Sequence, residues 1–427
     1  MEESLREIMA AGLSAADPEK AVVRSLAVEG DRISAGGETF EPERIFILSA
    51  GKAAGPMAQA AAELLGERLA DGLVVTKDAH KEGPENLETV YASHPEPDER
   101  GVEAARKARE LAESLGEGDL LLALISGGAS ALLADPAPPI EIEDLKQLTS
   151  DLLKSGSDIE EINGVRKHVS VLKGGGLANL VHPAPTIALL LSDVVGDEPS
   201  SIASGLTTPD PTTLEDAKAT LEKYDIEPPE SIVEHLENAE ETPKPGDKIF
   251  ETVANVVCGG GRHASEAAAE KARELGYEPL ILSTLLTGDA AASGELYAAI
   301  IRETLQSGNP LAAPCAIVSG GEATVTVRGN GTGGPNLEFA LSLAVELDGV
   351  DGWTAFAIDT DGNDGSTDAA GGQVDGETAQ RMRDGGKDPA RSLSDNDAYP
   401  ALKAADALVL TGPTGTNVND LRVALVE

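Results

Sequence analysis

The sequence predicts an α/β protein of two lobes, each a mostly parallel sheet flanked by helices, and three observations carry that expectation. The chain has 427 residues, more than a single core usually organises. A short apolar run, a Ser/Thr/Gly-rich turn and an Ala-rich stretch of helical spacing recur seven times, the pattern of a strand leading into a helix. A Pro- and Glu-rich stretch from Asp225 to Lys248 then interrupts the series, with Pro228-Pro229 and Pro243-Lys244-Pro245 breaking any long element.

The units run in order along the chain. Ile45–Ser49 precedes Ala50-Gly51-Lys52, Leu120–Ile125 precedes Ser126-Gly127-Gly128-Ala129-Ser130, and Ile187–Leu191 precedes Ser192-Asp193. After residue 250, Val253–Cys258 precedes Gly259-Gly260-Gly261, Ala316–Val318 precedes Ser319-Gly320-Gly321-Glu322, Thr354–Ile358 precedes Asp359, and Ala407–Leu410 precedes Thr411-Gly412-Pro413. Strands joined through helices align parallel and are covered on both faces. The expected lobes are therefore Rossmann-like, spanning residues 1–235 and 250–427, with an active-site cleft between them. Ala323–Arg328 alternates apolar and polar residues before Gly329-Asn330-Gly331, which predicts a hairpin or edge strand inserted in the second lobe.

Charge narrows the ligands. With 33 Lys plus Arg against 74 Asp plus Glu, the net charge of −41 repels phosphate polymers and anionic membranes. Neither nucleic acid nor a membrane is an expected partner. The 41% hydrophobic content in patterned runs argues for a folded chain, so the acid belongs on surfaces. Low Lys usage and 3% aromatics resemble a salt-adapted protein, whose self-repulsion salt screens. Cys258 and Cys315 each lie in an apolar run and read as buried thiols in a reducing compartment. Met1–Ala16 carries acids early and lacks a basic segment followed by an apolar core, so a cytoplasmic location is expected.

Ligands of open α/β sheets gather beyond the carboxyl ends of strands, where these turns fall. Successive glycines let backbone N–H groups approach an anion. Ser126, Gly127, Gly128 and Ser130 in one turn, and Ser319, Gly320, Gly321 and Glu322 in the other, suit a phosphate, such as a nucleotide's, or a carboxylate; a tight connection is the alternative for either. Lys52 stands at the same strand edge. Arg166, Lys167, His168 and Lys173 place four basic or potentially basic side chains in eight residues of a very acidic chain. At helical spacing Arg166, Ser170 and Lys173 share a face that Gly174–Gly176 would end. Such a face suits nucleotide phosphates or a substrate carboxylate, with a solvated helix paired to surface acids as the alternative. His168 reads as structural. Asp193, Asp197, Asp359, Asp361 and Asp364 are strand-edge acids suited to Mg²⁺ bridging phosphates, or to accepting a hydroxyl proton. The loop from Asp359 opens like a calcium loop but has Asp364 where the required glycine falls and Ala370 where the bidentate Glu falls.

No Gly-x-x-x-x-Gly-Lys-Ser/Thr occurs, which excludes a P-loop enzyme. Gly259-x-Gly261-x-x-Ala264 matches a dinucleotide fingerprint and keeps an NAD(P)-dependent hydroxypyruvate reductase open, although Ser283-Thr284 stands where an NAD site wants an acid. A non-catalytic sugar- or acid-binding protein would share two lobes but has no need of clustered acids and a basic helix.

Seven runs in order resemble the glycerate kinases of the MOFRL-containing type. They are Ser49-Ala50-Gly51-Lys52-Ala53-Ala54, Ser93-His94-Pro95-Glu96-Pro97-Asp98, Ser126-Gly127-Gly128-Ala129-Ser130, Gly164-Val165-Arg166-Lys167-His168, Ser192-Asp193-Val194-Val195-Gly196-Asp197, the run Asp361 to Gly371, and the run Thr411 to Asp420. The resemblance spans nearly the whole chain. It implies transfer of the γ-phosphate of ATP, with Mg²⁺, to the 2-hydroxyl of D-glycerate. It also explains the reductase alternative, since relatives are often labelled hydroxypyruvate reductases. On this reading Lys52 neutralises the transferred phosphoryl group, Arg166 and Lys167 hold phosphate or carboxylate, and Asp193 orients or deprotonates the hydroxyl. Asp197, Asp359, Asp361 and Asp364 are the Mg²⁺ candidates. The partners are glycerate and ATP, and a homodimer stays open. The chain departs from the pattern at Pro335, where many relatives have arginine, and at Gly176, where a basic residue is common. Arg328 and Arg262 are candidates to replace the lost arginine.

Overall fold

In the N-terminal unit, built from Pro18–Ser192 and Asp197–Cys258, a small antiparallel meander of β1 (Ala27–Glu29), β2 (Arg32–Ala35) and β3 (Glu38–Phe40) precedes the main sheet. The computed structural model describes residues 1–78 and 83–427. The main sheet holds β4 (Arg44–Ala50), β5 (Leu69–Lys77), β6 (Glu88–Ala92), β7 (Asp119–Ser126), β8 (Thr186–Leu191) and β9 (Val253–Gly259) in the order β6-β5-β4-β7-β8-β9. The pairs β6·β5, β5·β4, β4·β7 and β7·β8 are all parallel. Every residue of β7 and β8 is buried, which is why both read as unbroken apolar runs rather than alternating ones.

The Pro-rich stretch lies inside this unit and contributes the helix Glu230–Asn238. Moreover β9, expected to open the second lobe, is an edge strand of the first sheet. The chain passes between units after Asp17, around residues 193–196 and after Cys258, rather than once near residues 235–250.

The C-terminal unit comprises Met1–Asp17, Asp193–Gly196 and Gly259–Glu427. Its sheet holds β10 (Glu278–Asp289), β11 (Cys315–Thr324), β12 (Trp353–Asp359), β13 (Gly371–Asp375), β14 (Leu408–Val409) and β15 (Asp420–Val426) in the order β10-β11-β15-β12-β13-β14. The α/β architecture holds, but this sheet is mixed rather than mostly parallel. Only β10 and β11 pair parallel; β15 lies antiparallel between β11 and β12, and β13 and β14 pair antiparallel as well. The link from β12 to β13 is too short for the crossover that parallel pairing requires. The helix Glu2–Ala15 buries Leu5, Ile8 and Met9 in a core with Val318, Phe356, Leu421 and Val423.

The expected hairpin at Ala323–Arg328 does not form. β11 ends at Thr324, and the following chain is held instead by Asn396, whose Oδ1 accepts from the backbone N–H of Arg328 at 2.7 Å and Gly329 at 3.0 Å. Both cysteines are buried thiols, and burial pushes Cys258 up to about 12. Among the described residues no helix is long and apolar enough to cross a membrane.

Candidate active site

The order of the N-terminal sheet reverses between β4 and β7, since β5 and β6 extend it one way and β8 the other. Such a switch point opens a crevice beyond the strand ends, the usual ligand position in these sheets. Lys52 and the Ser126 turn occupy it. The Lys52 backbone N–H donates to the Gly127 carbonyl at 2.9 Å, and the Ala53 N–H donates to Ser126 Oγ at 3.0 Å. The two loops are closely apposed here. A Cβ at Gly51 would stand 2.1 Å from Ser126 Oγ, so no larger residue fits.

Gly128 has φ +88°, a left-handed conformation glycine adopts without steric cost. A Cβ there would lie 3.2 Å from His94 Nε2 and 3.4 Å from Lys52 Cγ. His94 thus joins Lys52 over the glycine turn. Nothing in residues 93–98 says that the end of β6 returns to the end of β7, so local sequence leaves His94 without a role.

The basic run forms the helix Ile159–His168, started by a capping box between Asp158 and Glu161. This helix stops before Ser170, so the glycines do not end it; Gly175, left-handed, instead caps the next helix, Gly176–Val181. Lys173 therefore shares no helical face with Arg166. Among the described residues Arg166 has no hydrogen-bond or ion-pair partner, and burial alone pushes its guanidinium down. A half-buried cation without a carboxylate, in so acidic a chain, is suited to an external anion.

Lys167 and Lys173, by contrast, are committed internally. Lys167 is 4% exposed with Nζ 3.3 Å from Asp210, which is fully buried and also accepts from Thr212 and Thr242. His168 is structural, as expected: its Nδ1 meets the Gly164 carbonyl at 2.8 Å. Lys173 donates to the Leu133 carbonyl at 3.2 Å. Burial pushes Lys173 down to about 8, with Asp135 opposing the shift and Arg166 adding to it.

This depressed value has a measurable sign. Between about 8 and the ordinary lysine value near 10.4 the unfolded chain binds more protons, so stability rises with pH across that window. Urea titrations of wild type and Lys173→Met should show wild type gaining on the variant as pH rises from 8 to 10. A constant difference would remove the buried-lysine assignment.

In the C-terminal unit Ser319, Gly320 and Gly321 are not a turn. They lie within β11, where Gly320 and Gly321 pair with Leu421 and Asp420 of β15. Their lack of side chains serves close packing: a Cβ on Gly321 would stand 2.2 Å from the Leu286 carbonyl, and one on Gly320 would stand 3.0 Å from Ser265 Oγ. Ser319 Oγ is buried beside the Tyr297 hydroxyl. The expected phosphate cradle is thus replaced by a packed strand. Glu322 lies in the same strand and reaches solvent; desolvation and the charges of Asp420 and Asp193 raise its carboxyl.

The acids divide by what they touch. Asp420 begins β15 between Gly321 and Asp359, pairs with buried Arg422, and accepts from Ala323 N at 2.9 Å and Asn336 Nδ2 at 2.6 Å. Asp364, fully buried, accepts from the N–H groups of Asn336 at 3.1 Å and Leu337 at 2.8 Å, which begin the helix Pro335–Glu346. Pro335 has no N–H and suits the first helical position, so Asp364 serves the first donors available. Burial pushes Asp364 up to about 6 against those hydrogen bonds. It is a helix cap, with no oxygen directed outward.

Asp359 is pushed up to about 8, by burial first and then by the charge of Asp361. The two are locked by local turns, Asp361 N to Asp359 Oδ1 at 3.0 Å and Asn363 N to Asp361 Oδ1 at 2.7 Å. Thr360 Oγ1 donates to the Asn419 carbonyl at 2.7 Å, and Thr414 Oγ1 to the Thr360 carbonyl at 2.5 Å, which fastens the 359–370 loop to residues 411–419. Asp197 lies in the N-terminal unit with φ 56°. Among the described residues no three carboxylate, histidine or thiol groups converge as a metal cluster. A pair such as Asp359 and Asp361 nonetheless fits Mg²⁺, which takes one or two carboxylates and completes its shell with water and substrate phosphates. Of the arginines considered in place of Pro335, Arg328 acts on Asp289 and Glu338, and Arg262 is exposed at the start of the helix Gly261–Glu274.

Comparison with known proteins matches residues 4–237 to a family described as a domain of unknown function, DUF4147, and residues 315–420 to the MOFRL family. A D-glycerate 2-kinase of Thermotoga maritima is 43% identical over 98% of this chain and 97% of its own. An Agrobacterium vitis protein named only provisionally as a hydroxypyruvate reductase is 44% identical over 99% of this chain and 94% of its own. A crystal structure of glycerate kinase from Thermotoga maritima superimposes with a TM-score of 0.91 at 42% identity, covering 100% of this chain and 99% of that one.

Proposed function

Because this chain belongs to the glycerate kinase family, we propose that it is an ATP-dependent kinase transferring the γ-phosphate to the 2-hydroxyl of D-glycerate to form 2-phosphoglycerate. The observation that carries the reading is the switch point between β4 and β7, where Lys52 is tied to the glycine turn. The half-buried Arg166 without an acidic partner supports it.

In this mechanism the glycerate 2-hydroxyl oxygen bonds to the γ-phosphorus as the bond to the bridging oxygen breaks, and ADP leaves. Lys52 stabilises charge on the transferred group, since phosphoryl transfer is catalysed chiefly by positioning and electrostatics. Arg166 holds a phosphate or the glycerate carboxylate. The turn from Ser126 to Ser130 shapes the anion site. Asp193 orients the hydroxyl and receives its proton, and Glu322, raised by burial and then by the charges of Asp420 and Asp193, lies among the same acids. Asp359 and Asp361 would hold Mg²⁺, which supplies countercharge to the nucleotide phosphates.

The reductase alternative loses its main support. A dinucleotide fingerprint works inside one strand–helix–strand unit of a single sheet. Here Gly259 ends a strand of the first sheet, whereas the strand after the helix Gly261–Glu274 belongs to the second. The acid-rich composition supports a salt-adapted, cytoplasmic enzyme, so the assay belongs in high KCl. Purified protein given D-glycerate, ATP and Mg²⁺ should release ADP and form 2-phosphoglycerate, identified by NMR. Oxidation of NADH or NADPH by hydroxypyruvate without ADP formation from glycerate would overturn the proposal.

A further inference from the structure

Ser204 is 1% exposed and lies in a turn whose three successive residues are left-handed: Ala203 at φ 50°, Ser204 at φ 56° and Gly205 at φ 70°. Only the last is glycine, so two residues with side chains hold a conformation that costs free energy and persists only where neighbours enforce it. The neighbours are the candidate anion loops.

Ser204 Oγ donates to Asn163 Oδ1 at 3.1 Å, on the helix that carries Arg166 three residues later. Ser204 Oγ also lies 3.1 Å from Ser130 Oγ, at the end of the glycine turn. With the Ser204 proton committed to Asn163, Ser130 is the donor to Ser204. The chain of hydrogen bonds is directed, from the glycine turn through Ser204 to the basic helix. The backbone of the same turn engages the next loop. Gly174 N–H donates to the Ser204 carbonyl at 3.0 Å, and Gly175 N–H to the Gly205 carbonyl at 2.7 Å. One strained turn therefore fixes the glycine turn, the Arg166 helix and the loop after Lys173 against one another.

We infer that Ser204 is a positioning residue for phosphoryl transfer, setting the glycine turn and Arg166 at the separation that a bound anion requires. It touches neither substrate nor nucleotide. This rests on the reading of the site as a kinase, and the test separates the two.

Ser204→Gly removes the hydroxyl but adopts the left-handed backbone without strain; Ser204→Ala removes the hydroxyl and keeps the strain. Both are compared with wild type by steady-state kinetics with glycerate and ATP, by calorimetric binding of Mg²⁺-ATP, and by thermal unfolding. Ser204→Gly is expected to unfold within a few degrees of wild type while kcat falls about ten- to a hundredfold, the effect of a small misplacement at a reacting site. ATP affinity should fall several-fold, and Asn163→Ala should add little to Ser204→Gly because both break one chain. A Ser204→Gly enzyme with kcat and ATP affinity within threefold of wild type overturns the inference. So do losses in the two variants that merely track their unfolding temperatures, which is what a purely structural serine gives. Wild type that transfers no phosphate to glycerate defeats the proposed activity, and ATP affinity still decides the role of Ser204.

Discussion

Lys52→Ala is expected to lower kcat by about 10²–10³-fold in high KCl, with a much smaller change in the KM for ATP. The ammonium is proposed to act on charge that develops as the γ-phosphoryl group transfers, so its loss falls on the transition state rather than on binding. The loop itself should survive, because its anchors are backbone N–H groups of Lys52 and Ala53 reaching Gly127 and Ser126. A variant that keeps near wild-type kcat removes Lys52 from the chemistry. Arginine at this position should restore charge only in part, since a planar guanidinium places it differently from an ammonium.

Arg422→Ala is expected to destabilise the protein by about 3–5 kcal/mol, the usual effect of removing one member of a buried ion pair. Arg422 is fully buried, Asp420 is 4% exposed, and the guanidinium also lies 5.3 Å from the Phe339 ring centre. Without it, Asp420 keeps Ala323 N–H and Asn336 as donors but loses the cation that pairs with it. Urea unfolding of the variant and wild type measures the difference. A loss below about 1 kcal/mol would place this pair with exposed salt bridges rather than buried ones.

Much of the strand pattern was legible because burial on both faces leaves a plain record. β7 and β8, buried throughout, read directly as apolar runs ending at Ser126 and Leu191. The partnering of strands was not legible in the same way. β9 reads as a strand equally well in either sheet, and only pairing assigns it to the first. The Ser319-Gly320-Gly321 run looks identical to Ser126-Gly127-Gly128, but β11 continues through it because β15 pairs with Gly320 and Gly321. Glycine tolerates close approach of a backbone as well as of a ligand, and local sequence does not distinguish the two.

Among the basic residues the same limit applies to charge. Arg166, Lys167 and Lys173 are indistinguishable as members of a cationic run, yet Asp210 and the Leu133 carbonyl, remote in sequence, engage the two lysines and leave the arginine. Asp364 was legible as an acid in a loop but not as the cap of a helix that begins at Pro335. Asp420 closes the run from Thr411, and its importance appears only where β15 enters the sheet between β11 and β12.

That position of β15 bears on the order in which the protein can assemble during synthesis. The sheet of the C-terminal unit lacks an inner strand until residues 420–426 have been made, and the helix Glu2–Ala15, made long before them, packs on a core to which Leu421, Val423 and Leu425 contribute. At about 5–20 residues per second, this helix waits on the order of tens of seconds for its partners. During that interval β11 and β12 have no strand to join them, and the apolar face of the helix has incomplete cover. The nascent chain is therefore most exposed to aggregation before β15 is made, and only completion of that strand gives the helix Glu2–Ala15 and the sheet their shared core.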